Sequence, residues 1–455
     1  MAALYELTAT ALAALVRRRE VSCREVVLAH LARLEAVNPR VNAATVVLAD
    51  RALAAADAAD RGGAVGPLAG VPFTVKENLD CLGSATTHGV PALRDQLPYL
   101  DAPIVARMKA AGAIPIARTN QSEMGLRLCT DNPLRGRTLN PWHPALTAGG
   151  SSGGDAVAVA VGIAPIGLGN DLGGSLRIPA ACAGVATLKP TTGRIPHAAS
   201  LEPQDHGAAG QLMLAPGPIA RSIADLRACL AVMAGRDPRD PRSVDAPLEG
   251  PPPDERRAAL IVDLPGVPAA TVAAIRRAGD ALAAAGWEVE EAEAPELARC
   301  AEIWGRLIAT DFAVVMPMIA PIVSPALVAH MRRVCGAYDH REVSNHWIHV
   351  ERSRLGRAWS GFFAEYPIVV GPTWGNAIWP IDADLDPATG IARLEATVRF
   401  TTPGNLLGLP ALAVPMGVDG GLPTSVQIYA DLWREDLCLA AGAIIETAMP
   451  TPISG

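Results

Sequence analysis

An α/β fold, a sheet covered by helices on both faces, is what this chain of 455 residues predicts. Three observations carry it. Short apolar, β-branched runs set between glycines and prolines recur from Pro67 onward: "GVPFTVKE", "AIPIART", "IAPIGLG", "AALIVDL" and "YPIVVGPT". Helical segments separate them, and apolar runs of this kind suit strands buried on both faces. Half of the residues are hydrophobic and 19% charged, with 42 Gly and 39 Pro, a composition that supplies a large core and many sharp turns.

Taken in order, residues 1–60 read as packing helices without chemistry. Leu12, Leu15 and Val16, then Val26, Val27, Leu31 and Leu34, recur at helical spacing, and Thr8 or Thr10 caps the first helix. Residues 67–235 hold the strand-rich core and its unusual motifs. The Pro- and charge-rich stretch 235–257 resembles a linker, but strand-like and helix-like segments resume after it, so one domain over 1–455 is expected. Residues 300–360 look helical, either a cap over a site or ordinary core. Within them the apolar run from Phe312 to Ala329 is long enough for a bilayer, yet three prolines break it. A buried, kinked segment is expected there, with a membrane-touching cap as the alternative. Trp304, Trp347, Trp374 and Trp379 are expected in the core, with a substrate clamp as the alternative.

The net charge of −7 argues against nucleic acid as a partner, and Arg17, Arg18 and Arg19, flanked by Glu20 and Glu25, read as a solvated helix face. Eight scattered cysteines lack C-x-x-C pairs, which fits reduced thiols in a cytoplasm. His346 and His349 could meet on a helix, but no zinc pattern surrounds them and no metal is expected. In the first residues the basic cluster follows the apolar run, unlike a secretory signal.

The chemistry concentrates in three segments. Gly149 to Gly154 read "GGSSGG", and Asp171 to Ser175 read "DLGGS". Glycines flanking serine let the backbone approach a ligand closely. A flexible tether would continue in Gly and Ser, whereas apolar "AVAVAVGIAP" follows, and a phosphate loop would carry Lys where Asp155 stands. The N–H groups of Leu172, Gly173, Gly174 and Ser175 could converge as an oxyanion hole. Neither segment contains a histidine to serve Ser175. Lys76, ending the apolar run of "GVPFTVKENLD", could serve instead, because burial would leave its amine neutral. Taken alone, Lys76 reads as a surface lysine and Ser175 as a helix cap.

Together with "GPLAGVPFTVKENLD", "ARTNQSEMG" and "TTPGNLLGLPALAVPMG", the block "AGGSSGGDAVAVAVGIAPIGLGNDLGGSLRIPAACAG" resembles the amidase signature hydrolases. That resemblance implies a twisted mixed sheet of about eleven strands between helices. It also implies a Ser-cisSer-Lys triad: Ser175 as nucleophile, Ser151 as the serine in a cis peptide after Gly150, and Lys76 as base. Ser152, Asp171 and Arg177 fall on supporting positions. Asn170 departs from the family's usual Thr, which puts one local hydrogen bond in question. "EMGLRLCTDN" resembles a branch acting on acyl and aryl amides and carbamates. The activity implied is hydrolysis of C–N bonds in apolar or aryl amides, extending to carbamates and esters, without metal or organic cofactor. A small-molecule substrate is the implied partner, and a homodimer is compatible with the sequence. Two alternatives stand beside it: a glutaminase subunit of a tRNA-dependent amidotransferase, and a non-catalytic binding protein on the same fold.

Overall fold

The apolar runs become strands of one mixed, eleven-stranded sheet. The computed structural model describes residues 3–63 and 65–449. In chain order the strands are β1 Ala44–Val47, β2 Pro72–Lys76 and β3 Ile114–Thr119, then β4 Asp131–Asn132 and β5 Gly136–Arg137, which pair apart from the sheet. Next come β6 Ile166–Asp171, β7 Ala186–Lys189, β8 Ala215–Ala220, β9 Arg257–Leu260 and β10 Glu288–Glu291. The last are β11 Ile368–Pro372, β12 Ala411–Asp419 and β13 Leu422–Tyr429. In space the order is β1, β3, β2, β6, β8, β7, β12, β13, β11, β9, β10.

β2 lies parallel between β3 and β6, and β9 lies parallel between β10 and β11. Parallel neighbours need a crossover, which the helices Pro103–Ala110 and Ala269–Ala284 supply. Every residue of β2, β6 and β8 is buried, which is why these strands read as unbroken apolar runs. The edge strand β10, "EVEE", is mostly exposed and charged, which protects the open edge from pairing with another chain.

Two hydrophobic clusters flank the sheet, and successive residues alternate between them: Ile368 and Val370 enter one, Val369 the other. The first cluster takes the N-terminal helices Ala9–Arg17, capped by Thr8, and Cys23–Val41, which opens with a Ser22/Glu25 capping box. The second takes the helices Leu297–Ile319, Pro325–Ala337 and Asn345–Glu365. Between the helix Ile223–Met233 and β9 the chain is irregular, as its Pro-rich composition requires.

The run 312–329 departs from the buried segment expected of it. The helix Leu297–Ile319 ends soon after Pro317, and a new helix starts at Pro325 behind its Ser324 cap. Phe312, Met316 and Ile319 pack inward, but Val314 and Met318 are 69% and 70% exposed. The segment is two-faced, and a composition apolar all round hides its helical period from the sequence. Among the described residues no helix is long and apolar enough to cross a membrane.

Candidate active site

Because β2 and β6 run parallel, their carboxyl ends open on the same side of the sheet, where α/β sheets commonly hold their ligands. Lys76 is the last residue of β2, and "DLGGS" carries the chain from β6 into the helix Arg177–Ala183. "GGSSGG" feeds the helix Gly153–Ala160. The Ser152 N–H donates to the Ser175 carbonyl at 3.1 Å, so the two glycine segments lie side by side. Glycine is required there: a Cβ on Gly150 would lie 2.5 Å from the Arg127 carbonyl oxygen, and one on Gly154 would lie 2.3 Å from that of Asn120.

Lys76 Nζ donates to Ser151 Oγ at 2.7 Å and to Asn170 Oδ1 at 2.9 Å, and the Gly150–Ser151 peptide is cis. Asn170, the departure from the usual Thr, thus provides a hydrogen-bond acceptor to the lysine. Burial pushes Lys76 down from its ordinary 10.5 to about 7, against the pull of Asp155 and Asp171. Burial raises Asp155, offset in part by hydrogen bonds from Thr119 at 2.7 Å and Thr74 at 3.0 Å. The pair therefore shares its charge sparingly, and a neutral amine is accessible near neutral pH.

Asp171 shapes the loop before Ser175. Its carboxylate accepts from the Gly174 N–H at 2.7 Å, the Leu176 N–H at 3.1 Å and Asn405 Nδ2 at 2.9 Å. It also pairs with Arg177, whose Nε and Nη2 each donate at 3.0 Å. The Arg177 guanidinium holds this carboxyl well below the usual range. Arg177 in turn donates to the Thr401 carbonyl at 2.9 Å and Gln427 Oε1 at 2.8 Å, which anchors the loop to the distal half of the sheet. One expected oxyanion donor is corrected by this network: the Gly174 N–H is committed to Asp171 and cannot face a ligand. The N–H groups of Leu172, Gly173 and Ser175 have no such partner among the described residues.

Ser175, Gly173 and Leu172 line a pocket. Its other walls come from Trp304, Ile308 and Phe312 on one helix, His330, Met331 and Val334 on the next, and residues 125–128, 384, 394 and 398. Trp304, expected in the core with a substrate clamp as the alternative, touches the site: its Nε1 donates to the Leu172 carbonyl at 2.9 Å. Trp374 and Trp379 are buried as expected. Ser175 does not cap the following helix, since Leu176 occupies that position.

Against known proteins, the family model described as Amidase matches residues 25–439. The chain belongs to the amidase family. It is 42% identical over 460 residues to an indoleacetamide hydrolase of Bradyrhizobium diazoefficiens, covering 97% of this chain and 86% of that protein. A glutamyl-tRNA(Gln) amidotransferase subunit from Thermus thermophilus is 35% identical, with 94% of each chain covered. Among solved structures, a bacterial aryl acylamidase of the amidase signature family superposes with a TM-score of 0.83 at 27% identity, covering 98% of this chain and 96% of that one. This amidase is accordingly an enzyme that hydrolyses amide C–N bonds.

Two features of the amidase site are not announced by the sequence motifs. Asp155 reads there only as an obstacle to phosphate; an acidic residue in the otherwise apolar helix "GGDAVAVA" is the signal that it is buried beside the lysine. The pocket walls from 304–312, 330–334 and 384–398 are distant in sequence and meet through tertiary packing alone, so no local pattern reveals them.

Proposed function

We propose that this amidase hydrolyses the carboxamide of an arylacetic-type acid, with Ser175 as nucleophile, Ser151 as proton relay and Lys76 as base. The observation that carries the reading is the 2.7 Å contact from Lys76 Nζ to Ser151 Oγ, beside the segment whose Ser175 lines an apolar pocket. A neutral Lys76 keeps an N–H for Asn170 and turns its lone pair to the Ser151 hydroxyl. Ser151 passes its proton to Lys76 and takes one from Ser175, whose Oγ attacks the amide carbon. The carbonyl oxygen becomes an oxyanion held by the N–H groups of Leu172, Gly173 and Ser175. The proton returns along the same path to the nitrogen, ammonia leaves, and water hydrolyses the acyl-enzyme by the reverse relay. Gly150 and Ser152 hold the two segments together, and Asp171 with Arg177 holds the donor loop in shape.

The names of the relatives support an aromatic acyl or amine part: an indoleacetamide hydrolase and an aryl acylamidase. An aryl carbamate has nearly the same outline, and attack on it would release an alcohol, carbon dioxide and an amine; esters follow by the same route. The glutaminase reading asks for free charges to hold the ends of glutamine. The charges in this pocket hold each other, with Arg127 donating to both carboxylate oxygens of Asp384 at 2.9 Å. A binding protein would have no use for a lysine whose burial costs stability.

The test is ammonia release from phenylacetamide and indole-3-acetamide by wild type and by Ser175→Ala. Turnover by wild type and a loss of roughly 10³-fold or more in the variant are expected. Activity retained by Ser175→Ala would overturn the assignment of the nucleophile. Turnover of glutamine alone would turn the conclusion toward the glutaminase.

A further inference from the structure

The oxyanion donors are backbone groups, and a backbone N–H points where its peptide plane lets it. In a planar trans peptide the carbonyl and the next residue's N–H point in opposite directions, so holding the one aims the other. The N–H groups of Leu172, Gly173 and Ser175 are each aimed in this way by a donor on their own peptide's carbonyl. Asn405 Nδ2 donates to the Asp171 carbonyl at 3.0 Å, which sets the Leu172 N–H. The Ile178 N–H donates to the Gly174 carbonyl at 2.7 Å, which sets the Ser175 N–H. Between them, Trp304 Nε1 donates to the Leu172 carbonyl at 2.9 Å, which sets the Gly173 N–H.

The hold from Trp304 differs in kind from the other two. Ile178 belongs to the helix that the loop itself enters, and Asn405 also binds the Asp171 carboxylate that shapes the loop. Trp304 comes from the distant helix Leu297–Ile319 and is itself a wall of the pocket. Its ring lies so close to the loop that a Cβ on Gly173 would sit 2.5 Å from Cζ2. Glycine at 173 thus makes room for the indole. A buried indole N–H needs an acceptor, and the acceptor taken here is the carbonyl of the peptide that carries an oxyanion donor. A phenyl ring could supply the same packing but not that bond.

Resting on the arylacetamide reading above, we propose that Trp304 is a positioning residue for the reaction: its indole N–H, acting through the Leu172–Gly173 peptide, aims the Gly173 N–H at the oxyanion. As negative charge develops on that oxygen it draws on the Gly173 N–H, the Leu172 carbonyl gains electron density, and the bond from the indole strengthens with it. Trp304 touches no reacting atom. Because it also walls the pocket, one side chain supports both the acyl group and an oxyanion donor.

The experiment uses phenylacetamide and benzyl trifluoromethyl ketone with wild type and Trp304→Phe, which keeps an aromatic wall and deletes the N–H. Ser175 Oγ adds to the ketone carbon, the serine proton passes through Ser151 to Lys76, and the ketone oxygen becomes an oxyanion on the same donors. In the variant kcat for phenylacetamide is expected to fall roughly 10- to 100-fold with KM within about threefold. The Ki of the ketone should weaken by about the factor lost in kcat/KM. A KM that rises with kcat unchanged, or a ketone held as tightly as by wild type, overturns the positioning role while the arylacetamide reading stands. No turnover of phenylacetamide by wild type sinks both. Should Trp304→Phe fail to fold, the indole N–H proton resonance of Trp304 decides without a substitution at 304. It moves downfield when wild type binds the ketone and stays in place in Ser175→Ala, which cannot form the adduct. Equal shifts in the two proteins, or none in wild type, overturn the proposal.

Discussion

Lys76 joins the chemistry to a cost in stability. As the base proposed above, it can accept the Ser151 proton only when neutral, and burial brings its pKa down to about 7. The rate kcat/KM is therefore expected to rise about tenfold per pH unit below pH 7 and to level above it; a flat profile from pH 5.5 to 9 would sink Lys76 as the base. Stability follows with a definite sign. The unfolded lysine keeps its proton up to about 10.4, and the folded one releases it near 7. Between those values the unfolded chain binds more protons, so this residue's contribution rises with pH across that window. Below pH 7 the burial of the charged form opposes folding in full. Lys76→Met is therefore predicted to abolish turnover while keeping or raising the denaturation midpoint at neutral pH. A clear fall in the midpoint would show that the lysine stabilises the fold.

At the scale of elements, a short tether joins the helix Pro325–Ala337 over the pocket to the segment beside the site. Glu123, 3% exposed beside the catalytic segments, accepts from the Ser324 N–H at 2.7 Å and from Ser324 Oγ at 2.5 Å. Ser324 Oγ also caps the helix Pro325–Ala337 by accepting from Leu327 N–H at 3.2 Å. Ser324→Ala removes both side-chain links and should cost about 1 kcal/mol. It should also speed amide exchange over 325–337 and raise KM for arylacetamides more than it lowers kcat, because that helix carries His330 and Met331 in the pocket wall. Exchange unchanged in the variant would mean that packing alone fixes the layer. The contrast between this layer and the catalytic segments explains what could be read in advance. The meeting of the segments that carry Lys76, Ser151 and Ser175 was legible because glycines requiring close backbone approach, and a lysine ending an apolar run, are local patterns. Gly174 was legible as a loop residue but not as a donor already taken, since its partner Asp171 is identified only by the fold of the turn. Val314 and Met318 were misplaced inside because a helix apolar on every side gives no sign of which face meets the core. Trp304 and His330 read as ordinary residues, and only the packing of two distant helices brings them to the site.

Across the whole molecule, buried arginine–carboxylate pairs close the sheet. Arg194 and Glu435, both fully buried, join the loop after β7 to the last helix, Glu435–Ala448, across 241 residues, with Nη2 to Oε2 at 2.8 Å. Arg127 and Asp384 span 257 residues, and Arg177 connects Asp171 to β13. Because the Asp171 carboxyl is held below its ordinary range, its contribution is present above about pH 4 and is lost as the pH falls further. Removing one partner of such a pair leaves the other charge buried, whereas replacing both with apolar side chains of similar volume leaves nothing unpaired. Glu435→Ala is therefore expected to destabilise by about 3–5 kcal/mol, because Arg194 would remain desolvated with only the Ala246, Pro247 and Trp433 carbonyls to accept from it. The double variant Arg194→Met/Glu435→Leu should lose less than Glu435→Ala alone, and the coupling should appear as strong non-additivity in the thermal midpoints. Additive losses would mean that the two residues stabilise the fold through separate contacts, and that the sheet is closed by apolar packing without help from this pair.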